Sequence, residues 1–285
     1  MDTSALKHNL SRVRELAPGS RVLAVIKANA YGHGLLTVAE ALAAADGFAV
    51  ARIEEALALR EAGSRARIVL LEGFRDAGEL AAIATHGFEP FVHQDWQIAL
   101  IDSFRGPQVL RVWLKIDTGM HRLGFSPAEA ASAAARLAAC HAVARPVVLA
   151  THLADAEHAS GGGTRAQLEA FAAATAGLAG ERSIANSAGL IAWPEARGNW
   201  VRPGIMLYGI SPFADRTGDA LGLLPAMSFE TRIIALKDVA AGERVGYGGT
   251  WTAPRASRIA VAAVGYGDGY PRAAANGTPV SVAGA

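Results

Sequence analysis

The sequence predicts an α/β fold in which a TIM-type (β/α)8 barrel spans residues 1–211 and an all-β domain, incomplete at its C-terminus, spans residues 212–285. Between residues 22 and 209, short apolar strands alternate with alanine-rich helical segments, which is typical of parallel βα units. Polar residues stand where these strands end, and strand C-termini are where such a barrel carries its chemistry. Beyond residue 211 short strands alternate with glycine and proline turns, which predicts the second domain.

The first predicted element is a helix that begins at Asp2, Thr3 or Ser4, since each of these residues can serve as an N-cap. Eight strands follow, and eight parallel strands with intervening helices close naturally into a barrel. They are predicted at 22–27, 47–52, 67–72, 87–93, 111–116, 147–152, 183–187 and 200–209. A doubly wound sheet is the alternative, but it would need a GxGxxG loop after its first strand, and that spacing is absent.

In the second domain, turns are predicted at 239–243 and 254–257, and the chain ends partway through a predicted hairpin, TPVSVAG.

Composition excludes several classes of partner. The net charge of +1 gives no reason to expect nucleic acid or an anionic membrane, so a small molecule is the expected partner. No apolar run approaches the roughly 20 residues of a membrane helix. The single cysteine, Cys140, cannot form an intramolecular disulfide and has no metal-ligand spacing around it. We therefore expect a cytoplasmic protein without a metal, and a buried Cys140 near a helix end.

Lys27 ends the first apolar strand, VLAVIK. An amine at the end of a buried strand is partly desolvated, which favours its neutral form and makes it a candidate nucleophile or Schiff-base former. The alternative is an ordinary solvated surface lysine.

A phosphate site is predicted where the last two barrel strands end, because barrels often hold phosphate there. Asn186 and Ser187 end the seventh predicted strand, and Gly204 and Ile205 belong to the eighth, where a glycine lets backbone N–H groups approach an anion closely. Tyr31, just beyond the lysine, could add a phenol hydrogen bond. The alternative is a simple strand bend with a satisfied hydroxyl.

An imine-forming lysine and a phosphate cradle on one barrel rim together suggest pyridoxal 5'-phosphate, bound covalently at one end and ionically at the other. Arg202 could face the pyridine nitrogen of that cofactor. Because arginine stays protonated, it would leave the nitrogen as an acceptor and weaken the ring as an electron sink. The alternative for Arg202 is a buried ion pair.

The loop KIDTGMHRLGF, residues 115–125, carries Arg122, whose guanidinium suits a substrate carboxylate. Lys115 could simply pair with Asp117. His152, at the end of an apolar run, could stack on a flat cofactor ring or be a satisfied core histidine.

Two tyrosines lie in glycine-rich turns of the second domain, Tyr247 in GYGG and Tyr266 in GYGDGY. Such turns are exposed and can present a phenol to a cleft, although Tyr-Gly pairs are also common in ordinary β-turns. A tyrosinate base would need a nearby cation to lower its pKa from about 10.

An ordered set of motifs resembles the alanine racemases, pyridoxal-phosphate enzymes that interconvert L- and D-alanine. The set covers nearly the whole chain, and its members are AVIKANAYGHG, KIDTGMHRLGF, THLADAE, NSAG, WVRPGIMLYG, VGYGGTWTA and VGYGDGYPR. The resemblance implies that Lys27 is the Schiff-base lysine and the base on one face of the substrate. Tyr247 is then the opposing base, supplied by the partner subunit of a homodimer.

The same resemblance implies roles for the other candidates. Arg122 orients the cofactor and the substrate carboxylate, and Lys115 resembles a lysine that is carbamylated in many members. The remaining matches are Tyr31, Ser187, Gly204 and Ile205 for the phosphate, Arg202 for the pyridine nitrogen, His152 for ring stacking and Tyr266 for the substrate entrance.

Alanine racemases normally carry an N-terminal strand before the first helix and roughly 75 further residues of β domain. We therefore expect a chain truncated at both ends, with weak or no racemase activity of its own. Two other functions are left open, a non-catalytic pyridoxal-phosphate carrier and a racemase of a larger or basic amino acid. The motifs do not separate D-alanine supply for the cell wall from alanine catabolism.

Overall fold

The computed structural model describes residues 1–158 and 162–282. The chain forms two compact units, Met1–Met227 and Ser228–Ala285. The division predicted after residue 211 stays a prediction about folding units. Within the described residues, no helix is long and apolar enough to cross a membrane.

The first unit is a closed barrel of eight parallel strands in sequence order, as predicted. Its first strand pairs with the second, Leu23 beside Gly47, and also with the last, Arg21 beside Trp200. This closure excludes the doubly wound alternative. The strands are β1 Arg21–Val25, β2 Gly47–Val50, β3 Ile68–Leu70, β4 Glu89–Val92, β5 Trp113–Lys115, β6 Val148–Ala150, β7 Arg182–Ser183 and β8 Trp200–Val201.

The last two strands are much shorter than predicted. β8 ends at Val201, because Pro203 has no N–H to donate to a ladder, and Ile205–Tyr208 forms a 3-10 turn. β7 ends at Ser183, and Ser187 opens a helix whose N-cap is Asn186. The apolar sequence beyond both strands predicts burial, but burial alone does not distinguish a turn from a ladder.

Helices cover the barrel from outside. The N-cap of the first is Asp2, one of the three candidates, whose Oδ1 accepts the N–H groups of Ser4 at 2.8 Å and Ala5 at 3.2 Å. The helical elements of this unit are α1 Thr3–Leu16, the single turn α2 Lys27–Tyr31, α3 Leu35–Ala41, α4 Ile53–Glu61, α5 Ala77–His86, α6 Asp95–Ser103, α7 Ala130–Ala139, α8 Gly162–Ala174 and α9 Ser187–Ala192. Cys140 is buried at the end of α7, as predicted.

The strands divide the core into two layers. Side chains pointing inward from successive strands form one cluster, which includes Phe91, Trp113 and Trp200. Their outward neighbours, such as Leu114, pack against the helices. The rings of Trp113 and Trp200 lie 5.6 Å apart and fill the interior, so the open space lies at the strand C-termini.

Asn9 on α1 ties the end of this unit to the barrel. Its fully buried amide donates to the carbonyls of Leu207 at 2.9 Å and Leu224 at 2.8 Å, and its Oδ1 accepts the Leu224 N–H at 2.8 Å. All three hydrogen bonds join the first helix to residues near the end of the unit, so α1 holds the C-terminal segment of the unit in place.

The second unit consists of antiparallel strand pairs. β9 Ile233–Val239 pairs with β12 Ser257–Ala262, and β10 Arg244–Val245 pairs with β11 Trp251–Thr252. The turns predicted at 239–243 and 254–257 both lie between strands. Of the last predicted strand, residues 278–282 are not in a strand, and residues 283–285 lie outside the described part of the chain.

Candidate active site

A cavity of about 580 Å³ opens at the C-terminal mouth of the barrel. Every site residue predicted in the first unit lines it, namely Lys27, Tyr31, Lys115, Arg122, His152, Ser187, Arg202, Gly204 and Ile205. Tyr247 and Tyr266 belong to the second unit, where both side chains are exposed. The structure therefore brings nine candidates together, while the role of each residue stays a prediction.

The chain turns left-handed directly after Lys27. Ala28, Asn29, Ala30 and Tyr31 all have φ between 53° and 55°, and Gly32 continues at 83°. Consecutive non-glycine residues in this region are rare, because their Cβ atoms crowd the backbone. The turn thus begins before Gly32, the first glycine of the segment, and has an uncommon form. It brings the Lys27 and Tyr31 side chains to one cavity.

The residues of the predicted phosphate site, around Ser187 and Gly204, are closely packed. The hydroxyl of Ser187 accepts the Gly204 N–H at 3.0 Å and the Met206 N–H at 3.4 Å. A Cβ on Gly204 would lie 2.4 Å from the Tyr31 Oη, so only glycine leaves room for this phenol. The Tyr31 ring packs on buried Tyr208, with centroids 4.8 Å apart. Burial raises the pKa of Tyr31, which keeps its phenol protonated as a donor.

Arg202 lies just beyond β8 and is almost fully buried without a carboxylate partner among the described residues. Its guanidinium donates to Ser183 Oγ and to the Thr151 carbonyl, each at 2.6 Å, and to His152 Nδ1 at 3.3 Å. The ion pair considered as its alternative role is therefore not formed within that part of the chain. Burial lowers the pKa of Arg202 to about 10, so it remains charged at neutral pH.

His152 is held neutral. Burial first, and then the charge of Arg202, push its pKa well below the usual value. Because Arg202 can only donate, His152 Nδ1 must accept, and the ring proton lies on Nε2. A neutral flat ring at the cavity wall suits stacking on an aromatic ligand.

Lys115 is buried beside two guanidinium groups. Burial and the charges of Arg202 and Arg122 lower its pKa to about 8, and its Nζ donates to the Ile116 carbonyl at 3.2 Å. A substantial fraction of this amine is therefore neutral near pH 8.

Asp117 does not form the ion pair with Lys115 that the sequence left open, as far as the described residues go. Its Oδ1 accepts the N–H groups of Gly119, Met120 and His121 at 2.9–3.1 Å. Burial alone would raise the carboxyl pKa, but these hydrogen bonds hold the pKa of Asp117 below its usual value. The carboxylate thus shapes the loop that carries Arg122.

Sequence reasoning missed Gln167 on α8, which braces the wall behind His152. Its Nε2 donates to the His152 carbonyl at 3.1 Å, and its Oε1 accepts the Ala154 N–H at 2.8 Å. The hydroxyls of Thr118 and Thr151 meet beside it at 2.8 Å. No local signal marks such residues, because a buried glutamine and a surface glutamine look alike in a helical pattern.

Basic side chains outnumber acidic ones in the cavity wall, with Lys27, Lys115, Arg122 and Arg202 against Glu72 and Glu157. Such a surface favours a ligand with more than one anionic group, for example a phosphate and a carboxylate. The backbone around Gly204 suits the phosphate, and the guanidinium of Arg122 suits the carboxylate.

Comparison with known proteins gives two family matches. The alanine racemase N-terminal domain matches residues 1–212, and the alanine racemase C-terminal domain matches residues 226–285. A protein from Nitrosococcus oceani named alanine racemase is 53% identical over 285 residues, which cover 100% of this chain and 80% of that protein.

Solved structures are also similar. The biosynthetic alanine racemase from Pseudomonas aeruginosa has a TM-score of 0.94 at 45% identity, covering 98% of this chain and 78% of that one. An alanine racemase from Bartonella henselae, solved with covalently bound pyridoxal phosphate, has a TM-score of 0.82 at 28% identity, covering 95% and 76%.

Proposed function

This chain belongs to the alanine racemase family and is an amino-acid racemase, and we propose that it racemises alanine with pyridoxal 5'-phosphate held in the barrel cavity. The observation that carries the proposal is that Lys27, the backbone around Gly204 and the guanidinium groups of Arg122 and Arg202 all line one cavity. The match of residues 226–285 to the family's C-terminal domain argues against a barrel-only cofactor carrier.

The residues present fit this cofactor. The Tyr31 hydroxyl lies where a Cβ of residue 204 would stand, the Ser187 hydroxyl accepts the Gly204 N–H at 3.0 Å, and Ile205 lines the same cavity. These groups would hold the phosphate, and Lys27 would hold the other end covalently, as a lysine amine can. The relative from Bartonella henselae, which holds the same cofactor covalently, supports this choice.

Bound pyridoxal phosphate draws electrons from the Cα of an amino acid attached to it and so acidifies the Cα proton. Arg202 would face the ring nitrogen as a fixed donor, since it is charged at neutral pH. A guanidinium leaves that nitrogen unprotonated, which limits delocalisation into the ring and discourages side reactions. His152, neutral and flat, would stack on the ring face.

Reversal of configuration requires a proton to leave Cα on one face and another to arrive on the opposite face, so two bases are the direct solution. We assign Lys27 to one face and Tyr247 of the partner subunit to the other. The protein would then act as a homodimer. The glycine turn that carries Tyr247 leaves its phenol fully exposed, which suits presentation to a second subunit.

Arg122 would hold the substrate carboxylate, and Tyr266 would stand at the substrate entrance. Lys115 would carry a carbamate, which its partly neutral amine favours and which would give Arg122 an anionic neighbour. The cytoplasmic location stays a prediction that rests on the single cysteine.

Replacing Lys27 by alanine tests the central assignment. Wild-type protein supplied with pyridoxal phosphate should absorb near the visible edge, and borohydride should abolish that band and fix the cofactor to the peptide containing Lys27. The Lys27→Ala variant should show neither the band nor the fixed cofactor. An unchanged band in Lys27→Ala would contradict the proposal.

A further inference from the structure

The left-handed turn after Lys27 needs external support. Four successive non-glycine residues, 28–31, adopt positive φ, and each pays a steric penalty that a right-handed turn avoids. Backbone in this state persists only where surrounding contacts fix it. Without such contacts the turn would relax and move Lys27 and Tyr31, which flank or belong to it.

The Glu55 carboxylate accepts hydrogen bonds from two separate segments of the chain. Glu55 Oε1 accepts the Asn29 N–H at 3.0 Å, inside the strained turn. Glu55 Oε2 accepts the N–H groups of Ala51 at 2.9 Å and Arg52 at 3.4 Å, where the chain leaves β2. The charged side chain therefore joins the residues after β1 to those after β2 through charge-assisted hydrogen bonds.

Hydrogen bonds within the segment also stabilise the turn. The Asn29 side chain accepts the Leu35 N–H at 2.8 Å, and the Gly34 N–H donates to the Asn29 carbonyl at 3.0 Å. These bonds fix the exit of the turn, whereas the contact with Glu55 anchors the turn to a neighbouring strand. The turn is therefore held relative to the barrel mouth by this hydrogen bond to its backbone, together with the packing of the Tyr31 ring on Tyr208.

We propose that Glu55 is a positioning residue for the racemase reaction, which holds the left-handed turn so that the Lys27 amine and the Tyr31 phenol face the cofactor cavity. The assignment rests on the proposed function in one respect, the attachment of the cofactor to Lys27. Glu55 itself does not line the cavity and acts through the backbone.

The test variant is Glu55→Gln, which keeps the size of the side chain but leaves one oxygen to accept where two accept now. Glu54→Gln is the matched control, because Glu54 is the preceding residue on the same helix turn and its side chain, within residues 1–158 and 162–282, pairs only with exposed Arg75, at 3.2 Å. In cofactor-free protein, amide hydrogen exchange at Asn29 or Ala51 should accelerate by about tenfold in Glu55→Gln, since charged hydrogen bonds are the strong ones. It should not change in Glu54→Gln.

The second measurement is the rate at which added pyridoxal phosphate becomes fixed to Lys27, trapped by borohydride at successive times. We expect this rate to fall by about tenfold in Glu55→Gln, as for one lost charged hydrogen bond, and to be unchanged in Glu54→Gln. Attachment in Glu55→Gln as fast as in wild type, with unchanged amide exchange, would overturn the proposal. No attachment in wild-type protein would instead contradict the proposed function.

A glycine should rescue the variant if strain is the reason for the support. Ala28 is exposed with φ 54°, and glycine adopts that conformation without penalty. Glu55→Gln with Ala28→Gly should recover most of the attachment rate, or recover folding if Glu55→Gln alone does not fold. Ala43→Gly, an exposed position outside the left-handed region, should not rescue it. Equal effects of the two glycines, or no rescue, would overturn the proposal.

Discussion

Replacing Gly204 by alanine should weaken cofactor binding by displacing the Tyr31 phenol. The added Cβ would lie 2.4 Å from the Tyr31 Oη and 3.3 Å from its Cζ, whereas ordinary contacts begin at 3.4 Å. The hydroxyl must therefore move by about 1 Å, as in other overpacked sites. It cannot do so freely, because its ring packs on Tyr208 and its backbone sits at φ 55°.

Overpacking of this kind costs about 1–3 kcal/mol. Since about 1.4 kcal/mol corresponds to a tenfold change in Kd, the Kd for pyridoxal phosphate should rise by roughly ten- to a hundredfold. The assay is a titration of cofactor-free protein, followed by the absorbance of the bound cofactor. Thermal unfolding of the cofactor-free variant measures how much of this free-energy penalty lowers the stability of the fold rather than the affinity for the cofactor.

A double-mutant cycle with Tyr31→Phe isolates the contact. Without the hydroxyl, the closest atom to the new methyl group is the ring carbon at 3.3 Å, which needs only a slight adjustment. Gly204→Ala should therefore weaken binding much less in the Tyr31→Phe background than in wild type. Equal losses in the two backgrounds would refute the steric reasoning and assign the loss to the backbone N–H of Gly204.

Three further outcomes are expected. Asn9→Ala should lower the free energy of unfolding by about 2–4 kcal/mol in urea denaturation, because it removes one buried hydrogen bond to Leu207 and two partly buried ones to Leu224; a loss below about 1 kcal/mol would show that water replaces the amide. Burial lowers the pKa of Lys115 from 10.5 to about 8, so the folded state binds this proton less tightly than the unfolded state does. As the pH rises from about 8 to 10.5, this difference should raise the free energy of unfolding by at most about 3 kcal/mol. Unfolding measured against pH in CO2-free buffer should show a flatter curve for Lys115→Met than for wild type over that range, and parallel curves would contradict the burial argument. Tyr247→Phe should slow exchange of the Cα proton with D2O from one enantiomer much more than from the other, and more than it weakens cofactor binding, because Lys27 would still serve one face; exchange and cofactor binding lost to the same extent for both enantiomers would contradict the two-base scheme.

Much of the barrel and its site could be predicted from local sequence. Apolar strands alternating with alanine-rich helices specify eight parallel units, since each pattern buries one face of one element. Because parallel strands of a barrel end at the same rim, residues after different strands had to meet, and nine of them line one cavity. Position relative to a strand end was thus enough to find Lys27, Arg122 and His152.

The predicted C-terminal ends of β7 and β8 were less accurate than those of the other barrel strands. The sequence around Arg202 is buried and apolar, but a buried apolar segment need not pair in a ladder. Pro203 carried the contrary signal, because a residue without an N–H cannot continue a central strand.

Tertiary structure alone decided how the site is held. The left-handed turn of residues 28–31 contradicts the preference of its alanine and tyrosine residues, and Glu55 stabilises it from 26 positions further along the chain than Asn29. The neutral state of His152 depends on burial and on Arg202, 50 positions away. Sequence patterns report which face of an element is buried, and this determined the barrel and the lysine at its rim. Strain, protonation and bracing depend on contacts between distant segments, and these exist only once the barrel has closed.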